Sequence, residues 1–402
     1  MTNHLMNTYM PTDFSFERGE GCYIFANNPK TGVEEKYLDF GAGVAVLSVG
    51  HSHPHLVAAL NEQAQKLWHS SNWYKSTQQE TLSKRLCDIS FADKVFFTNS
   101  GAESNECAIK VARRYHYAQG NKHKVNIITF EGAFHGRTIG TIAAGGQAKY
   151  LEGFGPKAGG FTQVPFQDWD ALIAAADENC AAIMLEPIQG EGGLRSFDPS
   201  FVVKLRTYCD ENDILLIFDE IQTGIGRTGR LFAYEALGVE PDIMSLAKGL
   251  GGGFPMGACL ATAQAASGMQ PGIHGSTYGG NQLAMAVANA VLDIILAEGF
   301  LANVKKISGI LGQKLLGLID AHPTIFESLK GEGLLIGLKC KIVNMDLLAA
   351  LYDQKMLAIP AGDNVMRLLP PLIATEDEVN LAIEKLDISA TLLKIETTDG
   401  DI

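Results

Sequence analysis

Three short stretches hold side chains whose types and spacing could do chemistry. The first is Asn99-Ser100-Gly101-Ala102-Glu103, directly after the apolar run Val95–Thr98. Small residues that open a helix leave free N–H groups facing outward, and the helix dipole adds to their pull on an anion. The same residues also fit an ordinary cap, with Ser100 at the N-cap and Glu103 completing a capping box. The second stretch is Ile214–Phe218 followed by Asp219-Glu220. An acid ending a fully apolar strand is costly without a cationic or protonated partner. Asp219 could cap a helix, ligate a metal, or keep a ring nitrogen protonated by making the cation the cheaper state. The third runs from Ile243–Leu246 through Ala247 to Lys248 and a glycine loop, Gly249, Gly251, Gly252 and Gly253. Most lysines are surface lysines. One that ends an apolar run has its stem buried, and burial lowers its pKa and frees the amine as a nucleophile. Phosphate nest, buried acid and strand-end amine together are what pyridoxal 5′-phosphate requires, an aldehyde with a pyridine ring and a phosphate.

The elements that must position these groups alternate along the chain. Val95–Thr98, Val125–Phe130, Ala181–Leu185, Ile214–Phe218 and Ile243–Leu246 are continuous apolar runs, which predicts strands buried on both faces of a parallel sheet. Between them lie helical patterns. In Pro199–Glu211, Phe201, Leu205, Tyr208 and Cys209 fall on one stripe. Strand–helix alternation predicts an α/β fold with its active edge at the carboxyl ends of the strands. The flanks differ. Tyr23–Ala26 and Tyr37–Phe40 around Asn28–Gly32 predict a hairpin, Gly331–Gly337 a glycine-punctuated strand, and Thr375–Leu393 a closing helix. We expect a large central domain at 61–296 and a smaller α+β domain built from 1–60 and 297–402.

Two further motifs point elsewhere. Gly224-Ile225-Gly226-Arg227-Thr228-Gly229 matches G-x-G-x-x-G, the basis of an alternative reading as an NAD-dependent dehydrogenase. Five residues separate it from the strand and no clear helix follows. His51-Ser52-His53-Pro54-His55 resembles a metal tract, but Pro54 interrupts it and no carboxylate or cysteine lies nearby in sequence, so no metal site is expected.

Composition sets the frame. The 402 residues allow two or three domains. A net charge of −13 repels phosphodiesters and anionic lipid, so no nucleic-acid or membrane partner is expected. Seven scattered cysteines without Cys-x-x-Cys favour a reducing compartment over a disulfide framework. The first thirty residues lack an apolar core, so a cytoplasmic protein without a secretory signal is expected.

Over nearly its whole length the chain resembles the class III, or ornithine-type, pyridoxal-phosphate aminotransferases. The resemblance is carried by Leu38–Val46 and Gly50–Pro54, by Asn99–Glu106, Ala133–Thr138 and Glu186–Gly193, and by Asp219–Gly224 and Lys248 with its glycines. His274–Asn281 and Val365–Pro371 complete it. It implies the fold-type-I transferase fold and pyridoxal 5′-phosphate as cofactor. Lys248 would carry the covalent link to the cofactor and move the substrate proton. Asp219 would hold the pyridine nitrogen protonated, and Gln222 would bond the phenolic oxygen. Phe134 and Ile221 would cover the two ring faces. Ser100, Gly101 and Ala102 would cradle the phosphate, with Ala102 standing where the family usually has threonine. Thr277 would reach the phosphate of a partner subunit, which implies a homodimer with shared sites. Arg137 and Arg367 would bind substrate carboxylates, and Glu191 would neutralise Arg367 during the donor half-reaction. The implied reaction moves the δ-amino group of N2-acetyl-L-ornithine to 2-oxoglutarate, as in arginine biosynthesis. Val44 stands where ornithine-specific relatives have a tyrosine, which argues against free ornithine as donor. 4-Aminobutyrate, N-succinyl-diaminopimelate and succinylornithine remain alternative donors.

Overall fold

In the computed structural model, which describes residues 4–28 and 31–399, the apolar runs lie side by side in the middle of the molecule. Strands β1 (Phe16–Glu20), β2 (Tyr23–Asn27) and β3 (Glu34–Asp39) come first in the chain. The central sheet uses β4 (Lys94–Thr98), β5 (Asn126–Phe130), β6 (Phe161–Val164), β7 (Cys180–Leu185), β8 (Leu215–Asp219), β9 (Ile243–Leu246) and β10 (Gly257–Ala261). Their order is β4-β10-β9-β8-β7-β5-β6. β10 runs antiparallel to both neighbours, β9 and β4, while the remaining pairings are parallel. Every residue of β7, β8, β9 and β10 is buried, as continuous apolar strands demand. Helix α1 (Gly101–Ala118) lies across β9 and β10, and α2 (Pro199–Glu211) packs on β8 through Val202, Leu205 and Cys209.

Two of these strands escape the apolar-run reading. β10 begins where the glycine loop ends and is built of small residues. Gly257 opens it because a Cβ there would stand 2.4 Å from Ser104 Oγ on α1, so helix and strand meet too closely for a side chain. β6 is short and only half-buried, with Thr162 and Gln163 breaking the pattern.

The two ends of the chain share a sheet. β1, β2 and β3 form an antiparallel ribbon with Tyr23 opposite Leu38, and β13 (Met356–Leu357) joins β3 in parallel. Pro29 and Lys30, the centre of the expected hairpin turn, lie outside the described residues. A second antiparallel sheet, β11-β12-β15-β14, uses β11 (Phe326–Glu332), β12 (Leu335–Cys340), β14 (Ile359–Ala361) and β15 (Val365–Leu368). The single strand expected at Gly331–Gly337 is therefore a hairpin turning at Gly333-Leu334. Gly333 has φ +61, and a Cβ on it would press 2.5 Å from the Thr228 carbonyl carbon. Helices α3 (Gln282–Ile295), α4 (Phe300–Ala321) and α5 (Glu376–Asp399) are the longest in the C-terminal third of the chain. Among the described residues no single helix is long and apolar enough to cross a bilayer.

Candidate active site

A cavity of about 450 Å³ opens at the carboxyl ends of β4, β5, β7, β8 and β9. It brings together Ser100, Gly101, Ala102, Phe134, Arg137, Glu191, Asp219, Ile221, Gln222 and Lys248, which are up to 148 positions apart (248 − 100). Each follows the carboxyl end of a strand of the central sheet, because parallel strands send their following loops to one edge.

At one wall α1 begins. Ser100 is its N-cap, accepting from Glu103 N–H at 3.2 Å. Glu103 reaches back to Asn99 N–H at 2.6 Å, so the cap and the cavity wall are the same structure. Gly101 and Ala102 open the helix, and residues there have no intrahelical acceptor for their N–H groups. A Cβ on Gly101 would stand 2.8 Å from Ile221 Cδ1, so this turn and the residue beyond Asp219 are fitted to each other.

Asp219 is 3% exposed and its carboxylate is held from three sides. Oδ2 accepts from Asn105 Nδ2 at 2.7 Å and pairs with His135 Nδ1 at 2.8 Å, and Oδ1 accepts from Ile221 N–H at 3.1 Å. Burial alone would depress the His135 pKa. The hydrogen bond and charge of Asp219, with Glu186 adding, outweigh it and raise the pKa overall.

Arg367 on β15 sits behind the cavity, 1% exposed. Its Nη1 meets Glu191 Oε1 at 2.7 Å and donates to Gln222 Oε1 at 3.1 Å, and Nη2 donates to Pro360 O at 3.1 Å. Glu191, by contrast, is half-buried on a loop. Because Arg367 occupies the Gln222 oxygen, the amide NH2 is the part of Gln222 free to donate. Gly190 leaves space for this, since a Cβ would lie 2.1 Å from Gln222 Oε1. Arg137 is exposed and lies over the rings of Tyr150 and Phe134, at 3.9 and 5.3 Å.

Lys248 lines the cavity half-buried, with φ +41, an uncommon backbone region for a residue with a side chain. Among the described residues its amine has no hydrogen-bond or ion-pair partner. Burial, reinforced by the charge of Arg367, brings its pKa down to about 8. Glu186, wholly buried beside it, accepts from Phe134 N–H at 2.9 Å and Gly190 N–H at 3.1 Å, and burial pushes its carboxyl up to about 7. The sequence reading gave no roles to Asn105, His135 or Glu186. The available signal was the polar residue itself, set in a small-residue helix or at the end of an apolar run.

Two residues named from the sequence stand outside this cavity. Thr277 is exposed and lines a neighbouring hollow with Asn99, Glu103 and Ser276, not the cavity. Val44 packs among Ala45, Ile188, Leu194 and Val365, and Val46 takes the place on the cavity wall. The reason is a left-handed turn: Ala42, Gly43, Val44 and Ala45 all have positive φ. Asp39 Oδ1 pins its start by accepting from Gly41 and Ala42 N–H. The histidine tract is structural: His51 pairs with Asp39, His53 caps a helix and His55 meets Asp293. No group of three metal-binding side chains occurs among the described residues.

The residues present fit pyridoxal phosphate. An amine without a partner, a triply held carboxylate and a helix start with open N–H groups face one cavity, and Gly101 keeps that start close to Ile221.

Comparison with known proteins gives the same result. Residues 6–389 match the family model Aminotransferase class-III. The chain is 58% identical over 389 residues to the acetylornithine aminotransferase of Agrobacterium fabrum, covering 97% of this chain and 96% of that protein. Among solved structures it is similar to an ornithine aminotransferase from Toxoplasma gondii described with pyridoxal phosphate at its active site. There the TM-score is 0.92 at 32% identity, covering 98% of this chain and 93% of that one. It is also similar to the N-acetylornithine aminotransferase of Stenotrophomonas maltophilia, with TM-score 0.83 at 37% identity over 96% and 98%. The shared-edge cavity and these matches together place the chain in the class-III aminotransferases, enzymes that work with pyridoxal phosphate.

Proposed function

We propose that this aminotransferase takes the δ-amino group from N2-acetyl-L-ornithine and gives it to 2-oxoglutarate, releasing N-acetylglutamate 5-semialdehyde and glutamate, a reaction of arginine biosynthesis. The observation that carries the reading is the 2.7 Å contact between buried Arg367 and half-buried Glu191 at the cavity edge. One pocket must accept a donor with a neutral acylamide and an acceptor with a second carboxylate. A cation that is masked in one half-reaction and bare in the other meets that need, and the fork of arginine suits a carboxylate. The 58% identity to a relative named acetylornithine aminotransferase supports the donor.

Bound in the cavity, pyridoxal phosphate supplies an aldehyde that accepts the amino group and a cationic ring that takes up electrons from the substrate carbon. Lys248 offers an amine whose pKa burial lowers to about 8, so in its neutral form it can accept a proton and return it over a short path. Asp219, steadied by Asn105 and His135, would hold a proton on the ring nitrogen. Among the cavity-lining residues, Gln222 would donate its NH2 to the ring oxygen, Phe134 and Ile221 would flank the ring, and Ser100, Gly101 and Ala102 would receive the phosphate. Arg137 takes the donor's carboxylate, or the distal carboxylate of the acceptor.

The same reading includes a cytoplasmic homodimer in which the partner's copy of residue 277 completes the phosphate site. Supporting it, Trp68, Trp73, Tyr74 and Tyr278 are all exposed, and Asn72, next to Trp73 in the chain, ties in the Thr277 segment by bonding Ser276 O and Gly279 O. Aromatic surface of this kind marks interfaces. A smaller domain from 1–60 and 297–402 around a 61–296 core delivers Arg367 to the site.

A donor panel tests the proposal. N2-acetylornithine should give the highest kcat/KM among itself, free ornithine, 4-aminobutyrate, succinylornithine and N-succinyl-diaminopimelate. A higher value for any of the others overturns the donor assignment.

A further inference from the structure

The Gly224–Gly229 loop is a motif that the proposed reaction leaves unused. At its centre Arg227 is 2% exposed and has no carboxylate partner among the described residues. Its Nη1 donates to the carbonyls of Leu334 at 3.1 Å and Pro370 at 2.5 Å, and its Nη2 has no partner. Leu334 returns the contact, its N–H donating to Arg227 O at 3.0 Å. The glycines serve the same seam. A Cβ on Gly226 would lie 3.0 Å from Leu372 Cδ1, and one on Gly229 would lie 2.9 Å from Lys305 Cγ. Gly333 faces Thr228 from the other side. The loop is thus shaped to press against residues 301–372, not to wrap a pyrophosphate.

Both acceptors bracket the strands that carry Arg367. Leu334 precedes β12, whose Gly337 is the register partner of Arg367, and Pro370 lies just past the end of β15. Arg367 itself spends Nη2 on Pro360 in β14 and leaves Nε unpartnered, so its depth depends on where this sheet sits. A buried guanidinium without an acid opposes folding, and an apolar side chain would hold the seam at less cost. A rule broken in this way points to a functional constraint.

We infer that Arg227 is a positioning residue for Arg367: its grip on the Leu334 and Pro370 carbonyls sets the place where the Arg367 guanidinium meets the acceptor's carboxylate. This rests on the proposed role of Arg367. Small displacements of a binding group carry large rate effects.

The test measures the two half-reactions of the holoenzyme by single-turnover absorbance, for Arg227→Lys, Arg227→Gln and, in parallel, Arg367→Ala. Arg227→Lys should slow the 2-oxoglutarate half-reaction on the order of ten- to a hundredfold, with a raised KM for 2-oxoglutarate. The N2-acetylornithine half-reaction should stay near that of the unaltered enzyme. Arg227→Gln still donates and buries no charge, so it reports the same split if the lysine variant does not fold. Equal losses in both halves, or lowered thermal stability with neither half changed, overturn the inference. Selective loss in Arg367→Ala without it in the Arg227 variants overturns the inference alone. A lack of selectivity in Arg367→Ala overturns the role of Arg367, and the inference with it.

Discussion

Two buried ionic arrangements of opposite character border the cavity. Around Asp219 every contact is fixed: Asn105, His135 and the Ile221 N–H all bond it, and acid and histidine are both enclosed. Around Arg367 the cation is as deeply buried, but its acid partner Glu191 is half-buried on a loop. The first arrangement has no member free to leave. The second has one. A group needed throughout a catalytic cycle is best preorganised, because it then acts without reorganisation. A group needed in only one half of the cycle must be exposable. Their difference in construction matches that division of labour.

Lys248 stands between the two arrangements, and changing it should have the largest effect. Lys248→Ala should abolish turnover and leave borohydride with nothing to trap on the chain, as peptide mapping would read. Retained turnover would break the comparison at its centre. Asp219→Asn keeps the shape but removes the charge. It should slow both half-reactions on the order of a hundred- to a thousandfold, seen in single-turnover traces. A loss confined to one half would show that the fixed arrangement is not shared. Asn105→Ala removes one of three bonds to Asp219. Both halves should fall about tenfold, or ~1.4 kcal/mol, in steady-state rates with each substrate. The smallest effect is on pH dependence. The Lys248 pKa is lowered to about 8, so the amine becomes neutral at a lower pH than an ordinary lysine. The rate at which apoenzyme takes up pyridoxal phosphate should rise with pH and level off above about 8. A profile still climbing steeply toward pH 10 would place that amine in a solvated setting.

Much of this site can be read from the sequence, and physics explains which parts. Asp219 and Lys248 stand out because a charge ending an apolar strand needs a reason, and strands of a parallel sheet bring such ends together. The glycines at 101 and 190 read only as loop residues. Their close approaches to Ile221 and Gln222 are tertiary facts. His135 and Asn105 are legible as polar letters but not as partners of Asp219, since 84 and 114 positions separate them from it. Strand or helix alternation does not foresee the left-handed turn at 42–45, which puts Val46 and not Val44 on the cavity wall. β10 was hidden because its residues are small where helix α1 crowds it.

The division between a fixed and a releasable ion pair is tested most directly by Arg367→Ala in separated half-reactions. In that variant the aminated holoenzyme should react with 2-oxoglutarate on the order of a hundredfold more slowly, while the reaction with N2-acetylornithine should be nearly unchanged. Equal slowing of both reactions would contradict it.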